Sequence, residues 1–206
     1  MDADDICEVV PLREGVGVIW SDQKHETVNM RVHRTGQPAN AWEPVEVVQA
    51  GDRNADDHIH AALAADGTLW VATKNSVDEV AQPQLVLRVR SPEGKWRNAP
   101  YGRLTADASV SRPTLALSPD GTVWLGHSVY RDKTFSEIVF GVVDLSAAGV
   151  LRAPRAVIAP DTKSRSRVND PTGPKHIFPE KGSWLVLASD AAGRVYEADL
   201  RTVGIP

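Results

Sequence analysis

The stretches AALAADGTLWVATK (61–74) and LALSPDGTVWLGHS (115–128) are near copies of one another. An internal repeat restricts the fold of a chain more than its composition does. Each copy reads as two β-rich runs joined by an Asp-Gly pair, Asp66-Gly67 and Asp120-Gly121. Such a pair suits a type I′ turn, in which both central residues take positive φ. Weaker copies flank these two. CEVVPLREGVGVIWSD turns at Glu14-Gly15, and WLVLASDAAGRVYEADL turns near Gly193. The second run of each hairpin carries one aromatic, Trp20, Trp70, Trp124 and Tyr196, at intervals of 50, 54 and 72 residues.

Periods of roughly 40–50 residues with four short strands each mark the blades of a β-propeller. A further pair of strands is therefore expected after each of the first three hairpins: TVNMRVHRTG and AWEPVEVVQ; PQLVLRVRSPEGKW and a short outer strand; SEIVFGVVDL and VLRAPRAVIA. Alternation shows in LVLRVR, where Leu85, Leu87 and Val89 share one face, with Arg88 and Arg90 turned from it. Fourteen prolines spread through the turns work against helices. The reading is an all-β single domain over 1–206, a partial β-propeller of about three and a half four-stranded blades. The blades fall near 6–48, 58–99, 112–158 and 184–200, and the last stops after two strands. The aromatic of each hairpin is expected at a blade interface, where a ring buries about 150–250 Å². Trp42 and Trp96, which precede outer strands, are read as packing too. A partial ring leaves apolar faces and strand edges bare. A missing N-terminal half, a second polypeptide or a copy of the chain itself has to cover them.

Several classes of function lack support. The net charge of −4 is spread along the chain without a basic stripe, which argues against nucleic acid. KSRSR (163–167) stands beside Asp161 and Asp170 in a loop rich in turn formers and reads as solvated. Cys7 is the single cysteine, so no intrachain disulfide forms. The start, MDADDICEVV, has neither the basic nor the apolar region of a signal peptide, and no apolar run approaches the ~20 residues that cross a bilayer. The chain as written is expected to be soluble, without a membrane partner and with no address of its own, cytoplasmic if nothing precedes it. No Ser-His-Asp spacing and no glycine-rich phosphate loop is present. No cofactor is expected.

In a propeller the loop entering the first strand and the loop between strands two and three open on one face. The entering loops hold ADDHIH (Asp56, Asp57, His58, His60), SVSRP (Arg112) and VNDPTGPKH (Asn169, Lys175, His176). The other loops hold WSDQ, TKNS (Lys74, Asn75, Ser76) and GHS (His127, Ser128). Acids, bases and amides on one rim can grip a polyhydroxylated or anionic ligand through charge-assisted bonds. The ligand-binding candidates are His58, His60, Lys74, Ser76, Arg112, Asn169 and Lys175, with Asp57 as the candidate acid/base. Each has a plainer reading. His58 and His60, alternating onto one side of a strand, form either a metal pair or, more commonly, bonds to nearby backbone, and no metal is assigned. Arg112 either clamps a carboxylate or pairs with Asp57 across the blade gap. Lys74 either meets a ligand or is solvated at a strand end.

IWSDQ, ADDHIH, TKNS, LVLRVRSPEGKW, SRPTLAL, VNDPTGPKH and LVLASDAAGRVYEADL, taken in order along nearly the whole chain, resemble the motifs of uncharacterised bacterial proteins with a sialidase-like, BNR-type propeller. The resemblance implies the C-terminal half of such a propeller and an exported, extracellular protein; it implies no defined activity. SPDGTVW resembles the sialidase Asp-box, except that Asp120 and Gly121 are adjacent where that motif has a residue between them. Sialidases also use three arginines, a Tyr–Glu nucleophile pair and an acid. Arg88, Arg112, Tyr130, Glu137 and Asp57 are the right types here, without the surrounding motif. Two functions follow as expectations. One is a face that binds, with or without hydrolysing, a carbohydrate or glycoconjugate, Arg112 and Lys74 holding an anionic group. The other is a non-catalytic interaction scaffold completed by another chain or segment.

Overall fold

The computed structural model describes residues 5–49, 55–118, 120–131, 136–146, 150–159, 168–172, 185–200 and 202, with the backbone alone for 169–172. These residues form strands and turns with no helix. The first sheet holds β1 (Cys7–Leu12), β2 (Gly15–Asp22), β3 (Thr27–Arg34) and β4 (Glu46–Gln49), hydrogen-bonded in chain order. The second holds β5 (Ala55–Leu63), β6 (Leu69–Asn75), β7 (Pro83–Arg90) and β8 (Trp96–Arg103) in the same order. The third is β9 (Ser109–Leu117), β10 (Val123–Tyr130), β11 (Ser136–Val143) and β12 (Leu151–Ile158). The hairpin expected near the end of the chain is β14 (Leu185–Asp190) with β15 (Val195–Asp199). A five-residue strand, β13 (Val168–Thr172), precedes it and pairs with β14, so part of the expected VNDPTGPKH loop is strand. All pairings are antiparallel.

Successive sheets pack face to face, and the first strand of each does most of the joining. β5 packs on β1 and β2, β9 on β5, β6 and β7, and β13 on β9, β10 and β11. The period-two alternation explains why. In β6, Leu69 and Val71 enter the core with the first sheet, while Trp70 and Ala72 face the third. In β10, Val123 and Leu125 face the second sheet, and Trp124 faces the fourth. β10 is buried along nearly its whole length, polar residues included. Leu87 and Val89 of β7 face the third sheet. Arg90, turned the other way as its position predicts, reaches Glu46 of the first sheet through Nε (3.1 Å) and Nη2 (3.0 Å) and Glu14 through Nη1 (3.3 Å). Trp96 Nε1 also donates to Glu46, at 3.0 Å.

Two details of the repeat differ from its sequence reading. The Asp-Gly turns are not type I′, because Gly67 (φ 94°) and Gly121 (φ 86°) take positive φ while Asp66 and Asp120 do not. Each loop is longer than two residues: Leu63 pairs with Leu69, Ala64 N donates to Thr68 O, and Gly67 N donates to Ala64 O. That is a type I turn followed by a glycine bulge. Asp66 and Asp120 earn their place with a carboxylate that accepts from Thr68 N (2.8 Å) and Thr122 N (2.9 Å). The same backbone pattern closes the turns at Gly94 and Gly193. Arg13 covers Gly67 and donates to Ala65 O at 2.5 Å, and Arg90 lies against Gly94; Gly121 and Gly193 have open space around them.

The aromatics are also not equivalent. Trp70 and Trp124 each lie one residue past the pair that closes the hairpin, and Tyr196 does too, though on the third strand of its sheet. Trp20 lies five residues past its closing pair, Leu12 with Gly15, and faces away from the second sheet. The first hairpin turns on two residues, so its strands are phased differently. Trp42 packs edge-on against His33, with ring centroids 5.3 Å apart, and does not enter a seam.

The seam between the third and fourth sheets has a close fit that can be tested. A Cβ at Gly126 would meet the ring of Phe140, 1% exposed, at 2.3 Å. Gly126→Ala is expected to destabilise the fold by about 1–3 kcal/mol through overpacking. Phe140→Leu in the Gly126→Ala background recovers part of that loss, as read by thermal or urea unfolding.

Candidate functional site

The first strands of the last three sheets break register near their starts. On β5 the pairs Ala55–Asn75 and Ile59–Thr73 leave three residues against one. On β9 the break lies between Thr114–Gly126 and Ser111–Ser128, and Arg112 there has φ 56°. On β13 it lies between Asn169 and Thr172. Bulges re-aim side chains that regular pleating would send into a seam.

The β5 bulge is Asp56, Asp57 and His58. Asp56 is its hub. Its carboxylate is buried, and it accepts from Lys74 Nζ, from His58 Nδ1 and from Ser76 Oγ (2.6 Å). His58 Nδ1 also lies 2.6 Å from Asp57 Oδ1, and the Asp57 side chain is 54% exposed. The two neighbouring acids titrate in opposite directions. Burial pushes Asp56 up, but the bonds from His58, Asp57, Lys74 and Ser76 outweigh it and hold Asp56 well below the usual carboxylate range. The hydrogen bond to Asp56 raises Asp57, and burial adds to it, against the charges of His58 and Lys74. An ionised, buried carboxylate thus sits beside a solvent-facing one that gives up its proton less readily than an ordinary aspartate. Ligand atoms of Asp56, Asp57 and His58 lie within 4.8 Å of one another, a set that could also hold a cation, although the Lys74 ammonium already supplies positive charge there.

The remaining candidates are scattered. His60 does not join His58 at the cluster; it is buried, and its Nδ1 accepts from Leu115 N at 3.1 Å, tying β5 to β9. Arg112 is half-buried in the β9 bulge. Asn169 is placed by its backbone in β13, opposite Ser189. Lys175 lies outside the described residues. Of the sialidase-type residues, Glu137 is paired with Arg131 at 2.5 Å, and Arg88 is buried, with its Nε donating to Thr73 Oγ1 at 3.0 Å. Asn75, His127 and Ser128, expected in rim loops, are instead buried in strands β6 and β10. The sequence reading placed Asp56 in the loop but chose Asp57; the missing signal was Lys74 and Ser76 converging on Asp56 from β6 and the loop after it.

Compared with known proteins, the chain matches no family model and no curated protein.

Among the described residues, His127 is the most sharply perturbed base. It lies edge-on to Tyr101, with centroids 5.8 Å apart, its Nδ1 has no hydrogen-bond partner, and burial lowers its pKa from 6.5 to about 4. Folded His127 is therefore neutral, while the unfolded imidazole takes up a proton below 6.5. Stability is expected to fall as pH drops from 6.5 and to go on falling until about 4, by on the order of 3 kcal/mol. Asp56 acts in a lower window: its contribution is present above its ordinary value of 3.8 and is lost as pH falls below it. Urea midpoints across the upper window check this, because His127→Leu removes the slope there and leaves the lower one.

Proposed function

We propose that this chain is a sialidase-like β-propeller assembly unit that binds carbohydrate or glycoconjugate at the bulged ends of its first strands. Four antiparallel sheets packed face to face in chain order support the blade reading. The observation that carries the site is the pair of adjacent acids with opposed shifts, a buried Asp56 held ionised by Lys74, His58 and Ser76 beside an exposed Asp57 whose pKa it raises. Environments that push two titratable groups apart are how acid and base roles are assigned in an enzyme.

In this reading Asp57 is the proton donor to a leaving oxygen, and Asp56 sets its protonation. Asp56 is not a second catalytic carboxylate, since glycosidase pairs stand about 5 Å or more apart with the sugar between them. His58 and Ser76 offer polar groups to sugar hydroxyls at the cluster's edge. Arg112, on the matching bulge of the neighbouring sheet, offers a guanidinium to an acidic substituent. An extracellular address goes with the family resemblance. The apolar faces at both ends of the stack favour a second role, as an interaction scaffold.

A glycan array followed by titration of the retained sugar tests the reading. Asp57→Asn is expected to keep binding within roughly tenfold and to lower any turnover by about 100-fold or more. A wild-type chain that retains no oligosaccharide, or an Asp57→Asn variant equal to it in binding and turnover, removes the proposal.

A further inference from the structure

We infer that the two end faces of the sheet stack bind each other across two copies of the chain, closing eight sheets into one ring. This rests on the blade reading above, but not on its glycan site. On the first sheet the face turned away from the second carries Val9, Val16, Val18, Trp20, Val45 and Val47, most of them strongly exposed. On the fourth sheet the outer face carries Leu185 (40% exposed), Leu187 (41%) and Val195 (69%). Residues of this size fill the internal seams, where none of them is left so bare. Nine large hydrophobic side chains are exposed among the described residues, and seven of them, Val9, Val16, Val45, Val47, Leu185, Leu187 and Val195, lie on these two faces.

The occupant is a second copy, because the two faces complement each other. One row on each face is complementary in charge: Val18 stands in a row with Arg31 on the first sheet, whose far end carries Asp22, and Leu187 stands in a row with Glu197 on the fourth. Between the first and second sheets that very combination is already in use, Arg90 clamping Glu46 beside an apolar seam. The first-sheet face of one copy on the fourth-sheet face of another therefore continues the stacking that each copy shows internally. A two-fold axis makes this contact twice and leaves no face over, as a closed point group requires. Eight sheets lie within the four to eight blades that propellers close with.

The test is the mass of the 206-residue chain in solution, by light scattering on a sizing column, with circular dichroism to confirm folding. The expected mass is twice 22.3 kDa. Val18→Glu and Leu187→Glu each bury a carboxylate in the apolar contact, the first opposite Arg31 and the second beside Glu197, and are expected to give folded monomers. Mixed in equal amounts they recover a dimer, because one of the two contacts then joins two unaltered faces. A wild-type monomer overturns the inference. So does a Leu187→Glu variant that stays dimeric when Val18→Glu does not, since that result means two first-sheet faces meet. A wild-type monomer that binds glycan removes this inference alone; a wild-type dimer that binds no glycan removes only the site.

Discussion

Every other feature of this molecule depends on the burial of one sheet's face against the next. A four-stranded sheet of this length has too little core of its own, so each seam stabilises two sheets at once. The seams are apolar at the centre, and the first is held at its edge by the half-buried contact of Arg90 with Glu46 and Glu14. Burial raises Glu46, but the bonds from Arg90 and Trp96 outweigh it and leave its carboxylate below the ordinary value, so that clamp is charged at neutral pH. Removing one partner of such a pair costs more than the pair contributes, because a half-buried charge is left behind.

The candidate site follows from where the seams relax. The first strands do most of the packing, and near their starts they slip out of register. Polar residues that would otherwise enter a seam are released there, and the β5 bulge gathers three of them around Lys74 and Ser76. The site is thus built on a strand held by its neighbours on both sides, which keeps an irregular backbone in one conformation.

Strands were legible because alternation and turn residues are local properties. TLWVATK and PQLVLRVR show their two faces directly, down to the opposite placement of Leu87 and Arg90. Phase was not legible. Trp20 matches Trp70 in the linear pattern, yet a shorter turn moves it to the other face, and turn length depends on which residues pair across the hairpin. The site was half legible for the same reason. ADDH announces polarity, but which acid is buried depends on a bulge that only packing against β1, β2 and β9 selects. The GHS stretch reads as a rim loop because nothing nearby tells that β10 continues through it with both faces covered.

The four glycine turns share a backbone but not their surroundings. At Gly67 and Gly94 an arginine side chain from the first seam rests on the loop, whereas Gly121 and Gly193 project into open space. The molecule therefore has a fastened half and a loose half at its loop tips. A side chain added at Gly121 meets no other atom within 4 Å, and that tip lies away from both end faces, so it is the place where the chain can accept a tag, a fused domain or a longer recognition loop without disturbing its packing.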